Sequence, residues 1–122
     1  SLRKNGQGNT QVSYTVYMLD DAEEDLWNIH TYIKNQFSKP LADKIYVGIR
    51  DSILMLETNP LLGTTIPQLA ALGMTQWRQM VVMEKNRVVY EVEQSRKHIY
   101  VYLICTERQD YDAFLQRRIF KR

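Results

Sequence analysis

The sequence predicts an α+β domain in the order β-α-α-β-β-β-α. An N-terminal helical hairpin packs on a small, mainly antiparallel sheet, and a short C-terminal helix closes the chain. Two observations carry this reading. Before residue 57, apolar residues recur at helical spacing in two stripes, broken at Ser38-Lys39-Pro40. Between Trp77 and Cys105, three runs of β-branched and aromatic residues are joined by hairpin-length links. Helices grouped ahead of strands argue against an alternating α/β fold.

Ser1–Val12 has no apolar periodicity and is rich in Gly, Asn and Gln. It reads as a disordered leader or cloning remnant, with the domain spanning residues 13–122. Tyr14–Leu19 is a first strand. Asp20 is positioned as a helix N-cap with Glu23 at the capping-box position, and Ala22, Leu26, Ile29, Ile33 and Phe37 form the apolar stripe. The run Glu23-Glu24-Asp25 reads as a solvated complement to the helix dipole, not as a metal site. Ser38 caps the second helix, with Pro40 in its first turn and Leu41, Ile45, Ile49, Ile53 and Leu56 as its buried face. That helix stops by Asn59, ahead of Pro60.

Pro60–Thr75 is a loop carrying a helical turn near Gln68–Leu72. The strands follow, linked by Glu84-Lys85-Asn86 and by Gln94-Ser95-Arg96-Lys97. In the middle strand Val88, Tyr90 and Val92 share one face, with Arg87, Val89, Glu91 and Glu93 on the other. In the last strand Ile99, Val101, Leu103 and Cys105 alternate with Tyr100, Tyr102 and Ile104. Both faces are apolar, as in a central strand covered on both sides. Asp110–Phe120 is the closing helix, with Phe114, Leu115 and Ile119 turned inward.

At 122 residues, 44% hydrophobic and 25% charged, the composition is that of one ordinary globular domain. No apolar run reaches the roughly 18 residues that span a bilayer, so no membrane is expected as a partner. The single cysteine and the lack of a signal-peptide pattern suit a cytoplasmic protein. The net charge of +2 is unevenly spread. Residues 13–72 sum to −4 and residues 73–122 to +4, so the C-terminal half is the natural face for an anionic partner.

Familiar enzyme signatures are missing. Gly6-Gln7-Gly8 precedes no helix and is no phosphate loop. His30, His98 and Cys105 are too scattered for a zinc site, so neither metal nor cofactor is expected. His98 and Cys105 are an odd number of residues apart on one strand, which places them on opposite faces, and Cys105 reads as a core residue. The arginines remain. Arg78, Arg87 and Arg108 sit near strand ends, where guanidinium groups converging on a concave sheet would hold phosphate or carboxylate. Tyr90, Tyr100 and Tyr102 are candidate base-stacking platforms. Metal-free RNA cleavage needs a base, a cation and an acid. The arginines supply the cation, and Tyr111 or a glutamate would have to supply the rest. The alternative is that the arginines pair with Glu91, Glu93 or Glu107.

The pattern resembles the RelE/ParE superfamily of bacterial toxins from type II toxin–antitoxin modules, over residues 14–120. Ala22, Asp25, Leu26, Ile29, Tyr32 and Ile33 are similar to its first-helix motif. Leu56, Pro60 and Gly63 follow its "L-x-x-x-P-x-x-G", and Arg87-Val88-Val89-Tyr90 its "Y-R-V-I-Y", with Asn86 in place of the first tyrosine. Arg78 and Arg108 match its arginine positions. The resemblance implies a growth-inhibiting, plasmid-stabilising toxin that forms a heteromeric assembly with a cognate antitoxin. It implies one of two targets. ParE-like members inhibit DNA gyrase; RelE-like members cut mRNA on the ribosome. In the first case Arg78, Arg87, Tyr90, Arg108, Arg117, Arg118 and Lys121 are binding residues. In the second Arg78, Arg87, Arg108 and Tyr111 are catalytic. No lysine lies between Gly63 and Arg78, and Tyr111 is out of register with the family's last-helix tyrosine, so the ParE-like branch is favoured. A catalytically inert, binding-only member is the third reading.

Overall fold

The computed structural model describes residues 13–120. The expectations for residues 1–12 and for Lys121 lie outside them. Strand β1 (Thr15–Met18) leads into helix α1 (Asp20–Gln36), which turns back as α2 (Lys39–Leu54) and a 3-10 turn at Met55–Glu57. A two-residue strand β2 (Thr64–Thr65) and a short helix α3 (Pro67–Ala70) precede β3 (Trp77–Val82), β4 (Asn86–Glu93) and β5 (His98–Thr106). Helix α4 (Tyr111–Leu115) continues as a π-helical turn, Gln116–Phe120. The sheet order is β1-β5-β4-β3-β2, with β1 parallel to β5 and the other pairs antiparallel.

The hairpin forms as its sequence dictates. The Ser38 hydroxyl accepts a hydrogen bond from the Leu41 amide at 3.2 Å, with proline in the first turn. The α1 cap differs from expectation. Asp20 is inside the helix, and the N-cap is Leu19, which makes no side-chain cap bond. Asp20, Asp21 and Glu23 still crowd the positive end of the dipole. His30 of α1 ties the helices together through Asp43 of α2, at 2.7 Å. Its ring is stacked on Trp27 and meets Tyr46 edge-on, packed between the two helices.

Two cores flank the sheet. The front core, beneath α1 and α2, holds Leu26, Ile29, Ile49, Ile53, Val88, Tyr90, Val101 and Ile104. The rear core, beneath α4, holds Trp77, Val89, Leu103, Cys105, Phe114, Leu115 and Ile119. Strand β5 is therefore covered on both faces, as its composition requires. Its facing pattern, however, is not a simple alternation. The register against β4 slips so that Val89 pairs with Leu103 and Tyr90 with Val101, leaving Tyr102 as an extra residue. Past that bulge the faces exchange. Ile104 turns to the front core, and Leu103 and Cys105 to the rear. His98 and Cys105 thus share a face after all. Seven residues of strand, at ~3.3 Å each, still keep them about 20 Å apart.

The β3–β4 link falls at Met83–Lys85, one residue earlier than the sequence suggested. Met83 and Glu84 have φ of 50° and 66°, and the buried Asn86 closes the turn by donating to the Val82 carbonyl at 3.3 Å. The Met83 side chain seats on Gly48 of α2, where an added Cβ would meet its sulfur. Because that neighbour is a flexible thioether, Gly48→Ala is expected to be nearly neutral. The methionine swings aside, and about 1 kcal/mol of helix propensity offsets the repacking. Thermal melting checks this; a loss of several kcal/mol would mean that the turn cannot yield.

Candidate functional site

The three strand-end arginines do not converge. Arg78 pairs across the ladder with Tyr90, whose side chain lies in the front core, so Arg78 belongs to the hairpin side of the sheet. Its Nη1 donates to the Gly63 carbonyl at 2.6 Å. Arg87 pairs with Cys105 and lies on the rear side. Its guanidinium sits 4.3 Å from the centre of the Tyr111 ring, and its Nη1 donates to Gln79 Oε1 at 3.4 Å. Arg108 packs 3.6 Å over the Tyr32 ring at the edge of the helical hairpin. None of them forms an ion pair with Glu91, Glu93 or Glu107 among the described residues; Glu93 pairs with Arg96, and Glu107 with Lys85.

What the structure does bring together is Gln79, Arg87 and Tyr111. The Tyr111 hydroxyl donates to Gln79 Oε1 at 2.7 Å. Burial raises the hydroxyl's pKa above the ordinary tyrosine range, with Arg87 opposing more weakly. Tyr111 is therefore held neutral and already engaged. Cys105 lies beneath α4, and burial pushes its thiol pKa up as well, which leaves it unreactive. No group of His, Cys, Asp or Glu able to hold a metal occurs among the described residues.

Two candidate residues are structural. Tyr90 is fully buried and offers no ring face to a ligand. Its hydroxyl accepts from the Gly63 amide at 2.8 Å and donates to the Pro60 carbonyl at 3.0 Å, which anchors the loop before β2. Arg118 is not part of a free basic tail. It forms a two-pronged ion pair with Asp25, Nη2 to Oδ1 at 2.6 Å and Nη1 to Oδ2 at 3.0 Å. Asp25 is correspondingly buried rather than solvated, and it also accepts from the Ile104 amide at 3.0 Å. Arg117 remains exposed, with its guanidinium 4.8 Å from the Phe114 ring centre.

Tyr90→Phe leaves the Gly63 amide and the Pro60 carbonyl without that partner, and is expected to cost about 1–3 kcal/mol. The phenol pKa is raised by burial, against smaller opposing pulls from the Gly63 amide and Arg78. A raised folded-state value means that its contribution is complete below the ordinary tyrosine range and lost as pH rises through the folded value. The parent therefore gains an alkaline unfolding limb that Tyr90→Phe lacks, measurable by denaturant titration above neutral pH. An identical alkaline limb in both proteins would contradict this role.

A groove of about 420 Å³ runs between the hairpin and the end of the sheet, lined by Tyr32, Phe37, Leu41, Ile45, Met83 and Arg108, among others. Phe37 is 68% exposed, so most of its apolar ring is open along this groove.

The family model for the ParE toxin of type II toxin–antitoxin systems, parDE, matches residues 16–111. The chain belongs to the ParE toxin family. As a ParE-family toxin it shares its fold with three solved structures. The chromosomal ParDE toxin–antitoxin system from P. aeruginosa aligns with a TM-score of 0.63 at 16% identity, covering 77% of this chain and 96% of that one. The toxin–antitoxin complex RelBE2 from Mycobacterium tuberculosis aligns at 0.60 and 14% identity, covering 83% and 99%. A mutant of E. coli toxin RelE in the free state aligns at 0.58 and 11% identity, covering 90% and 97%. No curated protein matches the chain.

Proposed function

We propose that this ParE-family toxin acts by binding DNA gyrase and blocking its cycle, and that a cognate antitoxin holds it in check. The observation that carries the reading is the dispersal of its arginines. Nuclease chemistry without a metal needs a cation, a base and an acid around one phosphate. Here Arg78 and Arg87 lie on opposite faces of the sheet, and Arg108 lies against Tyr32. Where a cation and a hydroxyl do meet, at Arg87 and Tyr111, the hydroxyl is committed to Gln79. His30 is enclosed between the helices and His98 begins β5, so neither stands beside that pair. A toxin that works by binding needs none of this proton-transfer machinery.

The antitoxin reading draws on the exposed apolar groove, whose lining includes the cations Lys85 and Arg108. An amphipathic segment with an acidic residue near its end fits such a groove. The experiment is a translation reaction with purified ribosomes and one mRNA. The mRNA is expected to remain intact in the presence of the toxin. Cuts in the ribosomal A site that disappear in Arg78→Ala, Arg87→Ala or Tyr111→Phe would replace the gyrase reading with the endonuclease one. If neither gyrase nor mRNA responds and growth is unaffected on expression, the inert, binding-only reading stands.

A further inference from the structure

Helix α4 covers only part of the sheet's rear face. The remainder carries a ledge of polar and aromatic side chains from three strands: Tyr17 on β1, Glu91 and Glu93 on β4, and His98, Tyr100 and Tyr102 on β5. Tyr17 and Tyr100 are stacked, with centroids 5.5 Å apart and planes at 19°. Tyr17 stays 41% exposed. The Tyr100 hydroxyl donates to Glu93 Oε1 at 3.3 Å, and the Tyr102 hydroxyl to Glu91 Oε1 at 3.4 Å. Each carboxylate is thus held beside a ring. Glu93 Oε2 already accepts from Ser95 and Arg96, so Glu91 is the carboxylate with more lone pairs to spare.

We propose that this ledge docks an arginine-bearing segment of a partner protein. Ring faces next to oriented carboxylates are the chemistry that selects a guanidinium: the cation lies over the ring while its N–H groups donate to the carboxylate. The molecule already holds one guanidinium at a ledge carboxylate, without a ring beneath it. Arg96, in the β4–β5 turn and 67% exposed, places its Nε 3.0 Å from Glu93 Oε2. Beside it, the Lys97 ammonium lies 5.6 Å from the Tyr14 ring centre. Stacked tyrosines alone would also suit nucleobases. The two glutamates weigh against that, because a phosphate backbone would meet Glu91 and Glu93, with Arg96 already paired and Lys97 held at the Tyr14 ring in the turn at one end. This surface is separate from the groove and from Gln79, Arg87 and Tyr111, and does not depend on which enzyme the toxin acts on.

The test is fluorescence anisotropy at low salt with a labelled arginine-glycine repeat peptide, and in parallel with a labelled oligothymidylate. The peptide's Kd is expected to rise at least fivefold in Glu91→Gln/Glu93→Gln. It should rise similarly in Tyr17→Ala, which changes no charge. Glu23→Gln/Glu24→Gln, on the exposed acidic turn of α1, should leave it unchanged. Circular dichroism of each variant confirms the fold, and Tyr17→Leu replaces Tyr17→Ala if the latter fails to fold. Peptide affinity equal to the parent's in both ledge variants overturns the proposal. So does oligothymidylate binding that weakens in the Tyr17 variant and strengthens in the double glutamine variant, which would make the ledge a nucleic-acid platform.

Discussion

Asp25→Ala is expected to destabilise the fold by about 3 kcal/mol, the largest loss from any single polar side chain here. Past the end of β1, the outer edge of β5 would expose the Ile104 amide and the Tyr102 carbonyl at the bulge. Asp25 accepts from that amide at 3.0 Å, and Arg118 donates to that carbonyl at 3.1 Å. Removing one partner of a buried pair typically costs 3–5 kcal/mol, because the other charge is left without compensation. Arg118 keeps about a fifth of its side chain exposed, so solvent moderates the loss to the low end of that range. For a domain of this size the melting midpoint should fall by ~10–20 °C. Asp25→Ala/Arg118→Ala should recover part of the loss, because no stranded cation remains. Thermal or urea unfolding of the three variants measures it. A single-variant cost below about 1 kcal/mol would mean that water replaces the carboxylate freely.

Gly63→Ala is expected to cost about as much, through the backbone. A Cβ at this position would overlap the Gln79 carbonyl of β3 and press on the Tyr90 hydroxyl. Unlike the Met83 side chain over Gly48, a strand carbonyl cannot swing away. Strand β2 must leave β3, and both the Gly63–Tyr90 and Arg78–Gly63 hydrogen bonds are disrupted with it. Overpacking of 1–3 kcal/mol plus about 1 kcal/mol for each of the two lost bonds gives roughly 3–5 kcal/mol. Urea unfolding should show this while Gly48→Ala stays near the parent. Equal behaviour of the two glycine variants would refute the distinction.

Both sites bear on what could be read from the chain. The hairpin and the three long strands were legible because periodicity reports directly on which face is buried. Strand β2 was not: two threonines in a loop carry no pattern, and they pair only because Gly63 lets the chain approach Gln79 closely. The bulge at Tyr102 was invisible for a different reason. A one-residue slip leaves an apolar strand equally apolar on each side, so nothing in β5 marks the exchange of Leu103 and Ile104. Asp25 did carry a signal. It stands three residues after Ala22 and four before Ile29, on the apolar stripe of α1, where a carboxylate needs a partner. Grouping it with Glu23 and Glu24 as a solvated cluster overlooked that spacing. Arg118, four after Phe114 and beside Ile119, is inward-facing by the same rule. The arginines misled because their strand positions were weighed and their sides were not. With the three-residue link at 83–85 or at 84–86, Arg78 pairs with Tyr90 or Val92, and either one faces away from Arg87. Tyr90 was read as a stacking platform since alternation says only that it faces a side, not that Pro60 and Gly63 close over it.

Gyrase itself gives the most direct measurement of what this ParE-family toxin acts on. Purified toxin is titrated into a supercoiling reaction with relaxed plasmid, gyrase and ATP, and the products are resolved before and after detergent and protease. The account predicts loss of supercoiling with rising toxin, accumulation of gyrase-linked linear DNA, or both. It also predicts that Arg87→Ala and Tyr111→Phe do not abolish the effect through lost chemistry, since none is required. Undiminished supercoiling and no linear product at a large molar excess of folded toxin, under conditions where ribosome-bound mRNA is cut, would contradict it.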